Sequence, residues 1–393
     1  MSAISSVEGF IIGRAGAQEK WASLMVVVRV TTKDGQVGYG ETVSSNRAKA
    51  VVEIIKRIGV ALKGRDALNI QANWRLWYLH DFNLSVSLES AGALSAVEMA
   101  LWDIAGRHFG APVYRLLGGA LRDRVRVYAN GWYGGCVEAQ CFAERAKAVA
   151  SMGYTALKFD PFGKYFDQID ERGLREAEER VKAVREAVGD DVDILIEHHG
   201  RFDANAAIAI AKRLEPYNPY FMEEPVHPEN VEGLRRYRQL VRLRVALGER
   251  IIRRDWALVY LREGLLDELQ LDVGRIGGIL EAFRTAAVAE SFGVMASPHN
   301  ANGPLLHAAT LQLDSVLPNF DLQESFYDFW PQWKRDLVIG LPPIEGGYAK
   351  VPNRPGLGVE VNERLLEELV YAGEEPFDPN EPSWVVRGTW GSP

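Results

Sequence analysis

The sequence predicts an α/β protein in which a TIM-like (β/α)7β barrel follows an α+β N-terminal domain. Three observations lead there. Between residues 125 and 322, eight short apolar runs alternate with mostly amphipathic helical patterns, the rhythm of strands joined by helical crossovers in a parallel sheet. Glu197, Glu223 and Glu249 each close one such run and stand 26 residues apart, the length of one strand, one helix and their loops. Before residue 125 the rhythm differs, with an alternating Val-rich segment and a turn giving way to long helical spacings.

In chain order, residues 24–32 alternate, Lys33-Asp34-Gly35 signals a turn, and residues 36–40 return as the second arm of a hairpin. Helical spacing follows over 51–55, 70–79 and 91–109, until Ala111-Pro112 stops the last helix and Leu116-Leu117-Gly118-Gly119 marks a boundary. The barrel strands are expected at 125–128, 156–159, 193–196, 220–222, 245–247, 268–271, 294–297 and 320–322. Helical patterns at 142–151, 171–188, 204–214, 231–240 and 281–292 lie between them. No tidy helix follows the eighth run, because Trp330-Pro331-Gln332-Trp333 interrupts it, and eight strands with crossovers of this size close into a barrel more readily than they form an open sheet. From Arg354 the tail is expected to leave the barrel and pack back on the first domain. The expected division is therefore 1–124 with 354–393, and 125–353.

Composition narrows the function classes. A net charge of −8 with interspersed acids and bases offers no basic surface for phosphate neutralisation, so no nucleic-acid partner is expected. No run of 18 apolar residues occurs and the N-terminus lacks a basic segment leading into an apolar one. A cytoplasmic protein with no membrane partner is expected. The only two cysteines, Cys136 and Cys141, have no partner at metal-finger spacing and are expected as plain thiols in a helical segment.

Barrel active sites form at the carboxyl ends of the strands. Those ends carry Lys158 and Asp160, Glu197 and His199, Glu223, Glu249, Asp272, His299 and Glu324 in turn. A lone acid there would be an ordinary solvated carboxylate or helix cap; three at matched register repel one another unless a cation sits among them. Oxygen-only ligation points to magnesium, with manganese as a substitute, and away from zinc. Asp272 and His299 fall on neighbouring strands, where the acid can take the imidazole Nδ1 proton and leave Nε2 as a general base. His199 lies two residues beyond Glu197, so in an extended segment it faces the site while His198 faces away. Lys158 is suited to neutralising a substrate carboxylate, with Asp160 as a further substrate contact. Such a site can remove the proton from the carbon next to a bound carboxylate. Return of a proton from the other face then gives racemisation or epimerisation, whereas an acid such as His199 assisting loss of the neighbouring hydroxyl gives dehydration.

The pattern of Glu197, Glu223 in Glu-Glu-Pro, Glu249 in Gly-Glu, Asp272 in Leu-Asp-Val and His299 resembles the mandelate racemase subgroup of the enolase superfamily. The hairpin domain and Ser95-Ala-Val-Glu-Met-Ala-Leu-Trp-Asp-Ile-Ala105 are similar to that family's capping domain, so the resemblance spans essentially the whole chain. Glu-His-His-Gly-Arg201 looks like the sugar-acid dehydratases of the subgroup. Tyr128-Ala-Asn-Gly-Trp-Tyr133, Leu157-Lys-Phe-Asp-Pro-Phe162 and the run from Trp330 are similar to archaeal-type gluconate dehydratases.

The resemblance implies dehydration of a sugar acid, D-gluconate and in the broader case D-galactonate, to the 2-keto-3-deoxy acid by a homo-oligomer. It also implies roles. Glu197, Glu223 and Glu249 would hold magnesium, His299 with Asp272 would take the C2 proton, and His199 would protonate the leaving 3-hydroxyl. Lys158 and a protonated, donating Glu324 would flank the substrate carboxylate, and Trp21, Ser44, Asn46 and Arg47 of the capping domain would contact the substrate. Two departures stand out. Racemases carry Lys-x-Lys where this chain has Lys158-Phe-Asp160, which favours dehydration, and the first ligand is Glu rather than the commoner Asp. The alternatives are a racemase, epimerase or cycloisomerase using the same enediolate, and a non-catalytic sugar-acid binding protein.

Overall fold

The computed structural model describes residues 2–13, 24–43, 47–80 and 87–373. The first domain is an antiparallel sheet in the order β1 (Ile4–Gly13), β2 (Leu24–Thr32) and β3 (Val37–Val43), packed against α1 (Ala48–Leu62) and α3 (Leu88–His108), with α2 (Ile70–His80) packed on those two helices. Sequence periodicity finds the β2–β3 hairpin and the three helices; β1 is an additional strand. The period of two along β2 divides its side chains between two cores. Val26, Val28 and Val30 pack with the helices of this domain, whereas Met25 and Val27 belong to the core shared with the barrel. The strand therefore reads as nearly continuous Val rather than as alternating apolar and polar residues. Helix α3 lies directly on β3, where a Cβ on Gly38 or Gly40 would collide with the Ala100 or Ala96 carbonyl.

A short helix α4 (Val113–Leu116) leads into the second domain. Its strands are β4 (Arg124–Ala129), β5 (Ala156–Phe159), β6 (Asp193–Glu197), β7 (Phe221–Glu223), β8 (Val245–Leu247), β9 (Glu268–Leu269), β10 (Met295–Ala296) and β11 (Gln323–Ser325). They alternate with α5 (Ala139–Ser151), α6 (Glu171–Val188), α7 (Ala204–Leu214), α8 (Val231–Leu240), α9 (Arg254–Arg262), α10 (Ile279–Glu290) and α11 (Pro304–Asp314). Parallel pairing runs from β4 to β10 in sequence order, and β11 returns to pair with β4. The seam between β10 and β11 carries the Ala296–Phe320 bridge and single hydrogen bonds rather than a ladder. Beyond β11, a short α12 (Gln332–Asp336) and β12 (Val338–Ile339) precede a hairpin of β13 (Ile344–Glu345) and β14 (Tyr348–Lys350). Strand β14 pairs with the first half of β4, whose second half pairs with β11.

The eighth ladder lies three residues later than the apolar run at 320–322 predicts. Its residues Gln323, Glu324 and Ser325 are polar yet buried: Glu324 joins the polar cluster at the barrel mouth, Gln323 bonds His307 of α11, and Ser325 Oγ accepts the Tyr327 amide. Helix α11 is buried on every side, so it has no amphipathic period to detect. The cysteine expectation is corrected outright. Cys136 and Cys141 form a disulfide, with Cα atoms 5.5 Å apart, within the usual bridging range. Helix α5 starts only at Ala139, so Cys136 sits in the preceding loop and turns back onto the first turn of the helix.

The chain after the barrel runs along the first domain. Arg107 pairs with Glu360, and Tyr39 donates from its hydroxyl to Glu363 Oε1 at 2.6 Å. These contacts involve the ends of β15 (Glu360–Val361) and α13 (Glu363–Glu368). Val370 then bridges Ile12 antiparallel.

Candidate active site

Parallel pairing sets the register of the barrel mouth. Lys158 pairs with Leu195 on β5–β6, and Glu197 pairs with Glu223 on β6–β7, so the carboxylates emerge side by side at the carboxyl ends. Lys158 is not a surface lysine. It is buried, with Nζ 3.0 Å from Glu197 Oε2, 2.6 Å from Glu223 Oε2 and 2.8 Å from Glu324 Oε1, over the Tyr128 ring. Burial alone would lower its pKa, but the surrounding carboxylates hold it well above the ordinary value. Gln270 Nε2 donates to the same Glu223 oxygen at 2.6 Å.

The three spaced acids differ in state. Burial pushes Glu197 up, but His199 and Lys158 more than offset it and leave the group at about 2. Burial and the Glu197 charge together raise Glu223 well above the ordinary carboxylate range. Glu249 Oε2 lies 2.8 Å from His299 Nε2, and this partner together with Arg275 overcomes burial and keeps Glu249 low. The donor chemistry fits a hard divalent cation: three carboxylates from adjacent strands, with Glu223 Oε1 buried and without a hydrogen-bond partner. In the present rotamers the acids are engaged by Lys158 and His299, and among the described residues no three groups are arranged to hold an ion.

Two histidines face this cluster, each with Nδ1 on an aspartate. His299 Nδ1 is 2.7 Å from Asp272 Oδ2, and Asp272 is further held by the Gly274 amide at 2.7 Å and the Asn302 side chain at 3.3 Å. Burial lowers His299, but Glu249, Glu324 and Asp272 together raise it to about 10. Across the mouth, His199 Nδ1 is 2.8 Å from Asp160 Oδ2. Strands β6 and β10 are four apart in the order around the sheet, so the two rings approach from opposite sides.

The local backbone differs from the extended segment expected after Glu197. His199 and Gly200 both take a left-handed conformation, φ 55° and 61°, and the His199 amide donates to Glu197 Oε1 at 2.6 Å. His198 does turn away, burying its ring beside Phe162 and Phe202. Asp160, expected as a substrate contact, instead has both oxygens committed. Arg201 grips them with Nη1 and Nη2 at 2.5 and 2.9 Å, and burial is outweighed by Arg201 and His199, which hold the acid far below its ordinary range. Arg201 stands in the Glu-His-His-Gly-Arg segment, but its role shows only when β5 and β6 lie side by side.

Glu324 corrects another expectation. It accepts from Asn130 Nδ2 at 2.6 Å and from the Asn300 amide at 2.9 Å. Burial raises it, yet Lys158 and His299 pull it below the ordinary value, so it is an ionised acceptor rather than a protonated donor. Arg47 is exposed and paired with Glu89, and no described contact joins it to the barrel cluster. Trp21, Ser44 and Asn46 lie outside the described residues.

Comparison with known proteins agrees with this architecture. Residues 16–118 match the mandelate racemase / muconate lactonizing enzyme N-terminal domain, and residues 141–365 match the enolase C-terminal domain-like family. A protein named D-gluconate dehydratase from Thermoproteus tenax is 54% identical over 99% of this chain and 78% of its own length. One named D-gluconate/D-galactonate dehydratase from Picrophilus torridus is 44% identical over 99% of this chain and all of its own. Among solved structures, a mandelate racemase/muconate lactonizing enzyme from Jannaschia sp. CCS1 superposes with a TM-score of 0.87 at 31% identity, covering 94% of this chain and 98% of that one. The chain belongs to the mandelate racemase / muconate lactonizing enzyme family of the enolase superfamily.

Proposed function

We propose that this protein is a magnesium-dependent hydro-lyase that dehydrates an aldonate, D-gluconate first and D-galactonate as a second substrate, to the 2-keto-3-deoxy acid. The observation that carries the reading is the pair of aspartate-held histidines on opposite sides of one carboxylate cluster. The names of the two aldonate dehydratase relatives support the substrate class.

His299, oriented by Asp272, takes the proton from C2 of the aldonate in its neutral form; the Glu249 contact that raises its pKa in the free site is one that a cation held by Glu249 would remove. His199, oriented by Asp160 and Arg201, gives a proton to the departing 3-hydroxyl. The C2–H and C3–O bonds break, water leaves, and the resulting enol tautomerises, losing its hydroxyl proton and gaining one from solvent at C3, to give the 2-keto-3-deoxy acid. Lys158 offers a buried positive charge to the substrate carboxylate and the enediolate. Glu197, Glu223 and Glu249 would hold magnesium, or manganese in its place, which supplies Lewis-acid stabilisation of negative charge on the substrate. Asp160 stands where racemases carry a second lysine and is locked in its ion pair, so it offers no base on the second face. This favours elimination over racemisation.

Residues 1–124 with 354–393 are read as the cap and 125–353 as the barrel, supported by the contacts of residues 360–370 with the first domain; residues 374–393 lie outside the described residues. A cytoplasmic homo-oligomer without nucleic-acid or membrane partners completes the reading. The net charge of −8 supports the absence of a nucleic-acid partner; among the described residues no helix is long and apolar enough to cross a membrane. The test is incubation with D-gluconate and D-galactonate, with and without magnesium, read as 2-keto-3-deoxy product. Exchange of the C2 proton with solvent and no keto product would sink dehydration in favour of an isomerase.

A further inference from the structure

The cap touches the barrel through buried carboxylates at two chosen places. Glu41 on β3 accepts the Gly303 amide at 2.5 Å on Oε1 and the Leu305 and Leu306 amides at 3.1 and 3.2 Å on Oε2. Pro304, the first residue of α11, has no amide hydrogen to offer, so one carboxylate collects every donor from Gly303 to Leu306. Glu98 on α3 does the same for α10, accepting the Ile279 amide at 2.8 Å and the Leu280 amide at 3.0 Å. The approach is close enough to require glycine. A Cβ on Gly303 would lie 2.7 Å from Glu41 Oε1, and one on Gly278, whose φ is 100°, would overlap the Glu98 carboxylate.

This arrangement is selective. Helices α6, α7 and α8 are capped by their own preceding residues, Asp170, Asp203 and Asn230. Helices α10 and α11 have no side-chain cap from their own N-cap residues and receive one from the other domain. They are the helices that follow Asp272 and His299. The intervening loop 273–278 is tied to the cap three more times, by Thr42 Oγ1 donating to the Gly274 carbonyl at 2.7 Å, the Gly277 amide donating to Ser95 Oγ at 2.8 Å, and Trp74 Nε1 donating to the Gly277 carbonyl at 2.7 Å. Gly274 in turn donates to Asp272 Oδ1, and Asn302, next to the Glu41-bound Gly303, donates to Asp272 Oδ2. Buried acids are a costly way to join two domains compared with apolar packing, and what they add is a fixed geometry.

We propose that Glu41 and Glu98 are positioning residues for proton transfer: docked on the N-termini of α11 and α10, they fix the two loops in which Asp272 and His299 stand. The inference rests on reading Asp272 and His299 as the base pair. Glu41→Gln and Glu98→Gln keep the shape but turn one acceptor oxygen into a donor NH2 group. Each is expected to lower kcat by about 10- to 100-fold with little change in KM, the size of effect that a small misplacement of a catalytic group produces. The isotope effect with C2-deuterated D-gluconate should rise, because proton abstraction becomes slower relative to other steps. A merely structural role would reduce the folded, active fraction and leave the isotope effect unchanged. Val149→Ala, a buried change in α5, serves as the control for such a loss.

His299→Asn, assayed alongside, separates the two claims. With that variant inactive, normal kcat and an unchanged isotope effect in both Gln variants overturn the clamp alone. With it active, the base-pair reading falls and the clamp falls with it. Should a Gln variant fail to fold, Thr42→Val, which removes only the bond to the Gly274 carbonyl, is read in the same way.

Discussion

Asp160 and Lys158, two residues apart on one strand end, divide the site's electrostatics between them. Lys158 stands as a cation among Glu197, Glu223 and Glu324, while Asp160 is locked by Arg201 and turned toward His199. The ion-paired state of Asp160 carries a stability prediction with a definite sign. Its folded pKa lies below the ordinary 3.8 because Arg201 and His199 outweigh burial. Its contribution is therefore complete above about pH 4 and is lost as pH falls through the folded value. Asp160→Asn should cost about 3 kcal/mol at neutral pH by leaving Arg201 buried without its counter-charge, and should flatten the acid limb of a stability curve measured by urea melts. A wild-type acid limb in the variant would contradict the pairing. His299→Ala should lower kcat on the true substrate by about 10²- to 10⁴-fold, the usual contribution of a general base, with circular dichroism confirming the fold.

At the scale of elements, what was legible in the sequence follows from which physical pattern each segment carries. Helices α6, α7 and α8 present one face to the barrel and one to solvent, so spacing alone marks their bounds. Helix α11, buried on all sides, has no such face, and β11 is a polar strand that an apolar pattern misplaces. The carboxylates, Lys158 and both histidines were readable because strand ends repeat at a fixed interval. Arg201, Asn130 and Gln270 were not, since their partners come from neighbouring strands that only the folded sheet brings into contact. The Cys136–Cys141 bridge was hidden by a helix boundary. It closes a loop with a sequence separation of five, for which chain entropy suggests about 2 kcal/mol. Reduction, or Cys136→Ser, should therefore lower Tm by about 2–3 °C in a chain of this size. An unchanged Tm by calorimetry would mean that the bridge adds nothing to folding.

Taken as a whole, the molecule is a barrel whose mouth gathers acids that repel one another and a cap whose own acids grip two of the barrel helices. A cation bound by the mouth should stabilise the folded protein by mass action, about 2.7 kcal/mol at a hundredfold excess over Kd. Magnesium titrated into metal-free protein should raise Tm, and Glu223→Gln should remove most of that rise. Equal rises in both proteins would place the ion elsewhere. The central claim, that two aspartate-held histidines work a single elimination, is tested most directly by following D-gluconate with magnesium in deuterated water by proton NMR. Wild-type protein should form the 2-keto-3-deoxy acid, and His199→Asn should retain exchange at C2 while product formation falls sharply. Full product formation by His199→Asn, or exchange without product in the wild type, would contradict it.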